Sequence, residues 1–308
     1  MTPLATGRPL GRDLLLTGLA LIVTVAAAAQ PVPPDGRGAT ALAPAPGPGA
    51  SATVVATGAG PRDAATPTDP ASREAFLRTA RIAEVRGVKV GVTGTRRATL
   101  QDDTVTHDAS IQLIDQALPR FQSASRIELN FRDYWGYNVA AYRLAVRLAL
   151  DNVPVSVARR FRGEPAAFTW WVDEVLMDER TRQARQVAPP DGADWNAQIH
   201  VQRVFDELIA NTDRNQGNLL IDRHWKLWLI DHSRAFRLNT GLRTPATIRR
   251  CDRALLAAMK ALTREAVDAE LGDVLTGMER DALMARRDAL IAHVEALGPA
   301  ALYDRTRE

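Results

Sequence analysis

Asp213, Asn218 and Asp231 place three oxygen-bearing side chains at intervals of five and thirteen residues, in the stretch NTDRNQGNLLIDRHWKLWLID. Hard oxygen donors of this kind suit Mg²⁺. Phosphoryl transfer needs little covalent chemistry from a protein: a metal held by such groups and one carboxylate that orients the nucleophile are enough. Any single Asp or Asn is an ordinary turn residue. The spacing, and the elements around it, carry the reading.

Two apolar runs, Leu219-Leu220-Ile221 and Leu227-Trp228-Leu229-Ile230, flank a polar turn at residues 222–226, a hairpin pattern. A helix expected over residues 198–210 delivers the chain into a polar loop at 211–218. Asp213 then projects from the loop, Asn218 stands at the entry of the first strand and Asp231 follows the second. The three groups are expected to converge at one end of the hairpin.

These intervals resemble the protein-kinase-like superfamily, whose catalytic loop reads Asp-x-x-x-x-Asn and whose later Asp opens the metal-binding triplet. The wording NTDRNQGN and the continuation DHSRAF are closer to its atypical branch: HipA-type, phosphoinositide-kinase-like and secretory-pathway kinases. The resemblance implies an α+β, two-lobed protein-kinase-like fold, with a small β-rich lobe and a larger, mainly helical lobe. It implies Asp213 as catalytic base and Asn218 and Asp231 as metal ligands, with His232 and Ser233 in place of Phe-Gly. It further implies ATP with Mg or Mn as cofactors, and an unknown protein or small-molecule acceptor as partner.

The small lobe is expected to start at VKVGVTGTRRATL from residue 88, turn at residues 101–103 and return along TVTHDASIQLID. Gly91, Gly94, Arg96 and Arg97 are candidates to lie over phosphates, through backbone amides and guanidinium groups. No Gly-Lys-Ser/Thr follows, which excludes a P-loop. An apolar pattern over residues 134–150, carrying Asn138, reads as the small-lobe helix. Strand-like runs follow at 153–161 and 167–172. Residues 173–177 are the expected hinge, with Glu174 and Leu176 as candidate nucleotide contacts; Trp170 and Trp171, just before it, read first as packing.

One departure bears on activity. Kinases carry a lysine on the third strand, paired with a helix carboxylate, but the only lysines here are Lys89, Lys226 and Lys260. Gln112 occupies the expected strand and Asn138 the expected helix position. Arg96, Arg97, or Arg126 with Glu128 are candidate substitutes, and the sequence does not choose among them. An active kinase transferring the ATP γ-phosphoryl to a hydroxyl, a catalytically inactive pseudokinase acting as a binding module, and another nucleotide transfer such as adenylylation all stay open.

Arg8 and Arg12 precede an apolar run at residues 14–29 that ends in small side chains, the layout of a secretory signal or a short amino-terminal anchor. Residues 1–30 are expected to direct export, and that anchor is the only expected membrane contact. Residues 31–72, rich in Ala, Pro, Gly and Thr, read as a disordered linker. The kinase-like domain is expected over 73–308, divided at 175/176. A formal charge of +3 on 39 basic and 36 acidic residues gives no ground for nucleic-acid binding. His107, His200, His224, His232 and His293 are scattered, without the close pairing of zinc enzymes. No Gly-x-Ser-x-Gly elbow is present. Cys251 is the single cysteine; it excludes an internal disulfide and reads as a structural thiol, although its basic surroundings suit activation. Residues 245–297 have helical spacing and are expected to form the floor of the large lobe.

Overall fold

The computed structural model describes residues 66–87, 95–122 and 127–305. The expected signal segment, most of the expected linker, Gly91, Gly94 and Arg126 lie outside these residues. Helix α1 (Pro70–Thr79) begins inside the last residues of that linker. Asp69 caps it, accepting from the Ser72 N–H at 2.9 Å, and Pro70 takes a first-turn position where no amide donor is required.

Strands β1 (Arg81–Gly87), β2 (Arg96–Gln101) and β3 (Thr106–Gln112) form an antiparallel meander. The turn between β2 and β3 falls where the sequence puts it, because Asp102 Oδ1 accepts from the amides of Thr104 and Val105. The first strand, however, precedes residue 88. A register shift between Ile82 and Glu84 breaks the period-two alternation by which a strand is recognised.

Between β3 and helix α2 (Gly136–Arg147) the chain makes a separate hairpin, β4 (Asp115–Gln122) with β5 (Ile127–Tyr134). Nothing in the sequence pattern announced it. Leu129 and Ile127 are 73% and 54% exposed, so the first half of β5 shows no apolar face alternating with a polar one. Pro119 interrupts the ladder at its middle, a position tolerated in a two-stranded ribbon. Strands β6 (Ser156–Phe161) and β7 (Glu164–Trp170) complete the small-lobe sheet in the order β1-β2-β3-β7-β6. Helices α1 and α2 pack on β6 and β7; Ala140, Ala141 and Ala145 are buried on α2, and their small side chains allow close approach.

The large lobe opens with β8 (Val175–Asp178) and α3 (Glu179–Ala184), followed by α4 (Gly192–Leu208). Helix α4 starts six residues earlier than its apolar spacing suggested, since Asp191 accepts from the amides of Ala193 and Asp194 and sets the boundary. It buries Trp195, Val201, Val204, Phe205 and Leu208. Burying side chains of this size contributes about 1.5–3 kcal/mol each. Strands β9 (Leu219–Asp222) and β10 (Leu227–Leu229) form the expected hairpin, and β8 adds to it in the order β10-β9-β8. Short strand β11 (Cys251–Asp252), helices α5 (Arg253–Ala261), α6 (Arg264–Leu271) and α7 (Gly277–Leu297), and strand β12 (Leu302–Tyr303) complete the lobe. Helix α7 opens with a capping box between Thr276 and Glu279 and packs against α4. One hydrophobic core joins both lobes, running from Leu77 and Ile111 through Phe205 to Leu290.

Candidate functional site

The loop after α4 is shaped by its own side chains. Asn211 Oδ1 accepts from the Asp213 amide at 3.0 Å and Asn215 Oδ1 from the Gly217 amide at 2.9 Å, closing a short 3-10 turn at Gln216–Asn218. Asn218 Nδ2 donates to the Asp213 carbonyl at 3.3 Å. The Ile230 amide donates to the Asn218 carbonyl at 3.1 Å. The loop end and the residue before Asp231 are therefore joined directly, and Asp213, Asn218 and Asp231 meet at one end of the β9–β10 hairpin. Asp231 has φ of +53°, a left-handed conformation that Asp tolerates better than most residues. Its Oδ1 accepts from Ser233 Oγ at 3.0 Å and lies 3.4 Å from Gln112 Nε2.

Arg214 holds this arrangement and was not singled out by the sequence. Its Nη1 donates to the Asn218 carbonyl at 2.9 Å and to the Ile230 carbonyl at 2.6 Å. Its Nε and Nη2 meet the Asp206 carboxylate at 2.9 and 3.0 Å. Both side chains are about nine-tenths buried. One guanidinium thus fixes the backbone next to both expected metal ligands. The only sequence signal is an arginine directly after Asp213, eight residues past an inward-facing Asp on α4.

Asp213 is partly exposed and lies 3.5 Å from Arg234 Nη1. Arg234 and Arg237 share Glu128, which reaches over from β5. The β4–β5 hairpin therefore bears directly on the loop. It also brings Asp133, a residue absent from the expected site. Asp133 is 5% exposed, and its Oδ1 has no hydrogen-bond partner. Burial holds its carboxyl above the usual range, opposed by Ser233 and Arg234 and reinforced by the charges of Asp231 and Asp213. A cavity of about 420 Å³ opens alongside, lined by Glu128, Asn130, Thr212, Arg237, Asn239 and Arg243.

The expected lysine–carboxylate pair is replaced by two amides. Asn138 Nδ2 donates to Gln112 Oε1 at 2.5 Å, and Asn138 Oδ1 accepts from the His232 amide at 2.9 Å. Gln112 Nε2 donates in turn to Thr95 Oγ1 at 3.1 Å. This neutral bridge links β3, α2 and the segment after β10 through buried groups. His232 itself is fully enclosed, and burial holds its ring well below its ordinary pKa and so neutral.

The remaining candidates are dispersed. Arg97 is bound to Asp108 at 2.6 Å and lies over Trp171 at 4.4 Å from the ring centroid. Arg96 is exposed and makes no ion pair with any described residue. The expected hinge is shorter than residues 173–177, because from Val175 the chain is already strand β8 paired with β9. Glu174 is committed to Arg223 through both its carbonyl, at 3.0 Å, and its carboxylate, at 2.6 Å. Leu176, at the irregularity in that pairing, is exposed. Glu128 is engaged by Arg234 and Arg237. Cys251 is buried, and burial pushes its thiol up to about 12, the opposite of activation.

No family model and no curated protein matches the sequence. Solved structures do. The chain is similar to hydra Fam20 with sugar, at TM-score 0.56 and 12% identity over 75% of this chain and 90% of that one. It is similar to the Golgi casein kinase, at 0.55 and 11% over 77% and 79%, and to that kinase with Mn/ADP bound, at 0.54 and 11% over 75% and 76%. The fold is protein-kinase-like. It is an α+β architecture, the fold class that the catalytic-loop wording had implied.

Within this kinase-like fold, the donor set fits a hard divalent cation. Asn218 and Asp231 supply amide and carboxylate oxygens on backbone tied by Arg214, and the unpartnered Oδ1 of Asp133 adds a buried acceptor nearby. Among the described residues, no group of three or more His, Cys, Asp or Glu is placed to hold a metal ion. Mg²⁺ is commonly bound through one or two carboxylates, with water and phosphate completing the shell.

Proposed function

We propose that the chain is an exported, atypical kinase-like phosphotransferase that uses ATP and Mg or Mn to phosphorylate a hydroxyl. The observation that carries this is the Arg214 clamp, which ties Asn218 and the approach to Asp231 to one guanidinium beside Asp213. In the reaction, Asp213 orients the acceptor hydroxyl and takes its proton. A bond forms between the acceptor oxygen and the γ-phosphorus as the bond to the β,γ-bridging oxygen breaks, and ADP leaves. Asn218 and Asp231 would hold the metal, which supplies charge neutralisation on the phosphates. A cavity of about 420 Å³ lined by Thr212, the residue before Asp213, would seat the acceptor. The Mn/ADP complex of the similar Golgi casein kinase supports the same cofactor pair here. Export rests on Arg8, Arg12 and the apolar run at 14–29. Among the described residues, no helix is long and apolar enough to cross a membrane.

A second reading is favoured by one specific observation: the Gln112–Asn138 bridge places no positive charge where kinases hold α- and β-phosphates. On this reading the protein is a pseudokinase that binds a partner without turnover. Thermal-shift titration of the full chain with ATP, with and without Mg²⁺ or Mn²⁺, tests nucleotide binding, since a ligand specific for the folded state raises stability by mass action. A metal-dependent shift absent from Asp231→Ala supports the nucleotide site. Phosphate release or autophosphorylation that disappears in Asp213→Asn then separates the enzyme from the binding module. No shift with any nucleotide refutes the phosphotransferase.

A further inference from the structure

Asp133 is a buried acid beside the loop that the scheme above does not use. It is the penultimate residue of β5, whose last residue fastens the strand to the triplet segment: the Tyr134 amide donates to the Ser233 carbonyl at 2.8 Å. Asp133 thus sits between the small-lobe hairpin and the residues just after Asp231. It feels the charges of Asp231 and Asp213. Arg234 is the cation nearby, but its hydrogen bonds and ion pairs go to Glu128 and Asp213. The Asp133 carboxyl is 5% exposed with one oxygen unpartnered; burial raises its pKa against the opposing effects of Ser233 and Arg234, so ionising it is costly, and a nearby cation would offset that cost.

We propose that Asp133 is a further cation-holding residue of this site, acting with Asp231 on a divalent ion of the Mg or Mn class. The proposal rests on the nucleotide–metal reading above. It accounts for a feature of charge as well as geometry: the helix α2 position expected to bear a carboxylate carries the neutral Asn138, and the small lobe's acid beside the triplet comes five residues earlier, from β5. Asp133 acts by accepting from a water of the ion's shell, as partly hydrated Mg²⁺ allows. Such outer partners commonly change metal affinity by 10–100-fold.

The test is Mn²⁺ uptake by the full chain in the presence of ADP, followed by loss of the six-line electron paramagnetic resonance signal of free Mn²⁺. Wild type, Asp133→Asn and Asp231→Asn are compared, with metal-free melting temperatures for all three. The expected result is a Mn²⁺ dissociation constant raised on the order of tenfold in Asp133→Asn, with a metal-free melting temperature equal to or above wild type, because the desolvation cost of a buried acid has been removed. A Mn²⁺ isotherm unchanged from wild type overturns the proposal. So does an Asp133→Asn chain that melts lower without metal or does not fold, which marks a structural acid. If Asp231→Asn loses Mn²⁺ while Asp133→Asn does not, Asp133 alone is excluded and the metal site stands. If wild type takes up no Mn²⁺, the nucleotide–metal reading fails and takes Asp133 with it.

Discussion

Replacing Arg214 with methionine should separate what holds the loop from what holds the fold. Methionine fills most of the arginine's volume but donates nothing. It leaves the Asp206 carboxylate, 8% exposed, with Gln202 and Asn211 as its partners among the described residues, and removes the Arg214 donor from the Ile230 carbonyl and one of two donors from the Asn218 carbonyl. Breaking a buried pair by removing one member costs about 3–5 kcal/mol. For a domain of this size, each kcal/mol moves the melting temperature by about 2–4 °C, so Arg214→Met should melt roughly 6–20 °C lower. Adding Asp206→Asn removes the stranded charge and should recover most of that loss, a coupling in the range seen for contacting residues. The double variant still lacks the two carbonyl contacts, so its stability should return while its ATP–Mn²⁺ thermal shift does not. Urea denaturation and nucleotide titration of the three variants give both readouts. An Arg214→Met chain that melts within about 2 °C of wild type, or a double variant that keeps the full ligand shift, would refute the assignment of Arg214 as the clamp.

Three further outcomes follow from the same geometry. Asn138→Ala strands the buried His232 amide and the Gln112 carbonyl oxygen; each lost partner costs about 1–3 kcal/mol, so the urea midpoint should fall without a change in slope. Acidification should destabilise the chain through His232. Its ring is held neutral in the fold but protonates in the unfolded chain, so stability is present above an unfolded pKa of about 6.5 and is lost as pH falls below it, at up to about 1.4 kcal/mol per unit. Comparing unfolding at pH 7.5 and 5.5 with His232→Gln checks this, and an unchanged slope in the variant counts against it. Cys251, buried with its thiol pushed up to about 12, should resist alkylation at pH 8 in the native chain and react at once in urea. Rapid native labelling would show that the site opens.

The candidate site was partly legible because its members are close in sequence. The intervals between Asp213, Asn218 and Asp231, the hairpin that separates them and the helix that leads in are local patterns, and local hydrogen bonds at Asn211 and Asn215 realise them. Gln112 and Asn138 were visible only as the wrong residues at two positions; that they bond each other, and that Asn138 holds the His232 amide, is a contact across more than ninety residues. Arg214 gave little signal because an arginine in a polar loop looks solvated until Asp206 is brought against it.

Asp133 and the β4–β5 hairpin mark the limit of sequence reading. Strand β4 is mostly exposed and carries a proline, and β5 alternates burial only in its second half, at Phe131 and Asp133, so the hairpin lacks a full apolar-polar alternation. Their importance lies in what they deliver: Glu128 to Arg234 and Arg237, and Asp133 to the edge of the triplet. The sequence by itself determined the order of elements around the loop and the chemistry its oxygens suit, because those depend on residues a few positions apart. Only the tertiary structure decided which charges are buried, which are paired and which are left without a partner, because desolvation and pairing are set by chain segments that meet after folding.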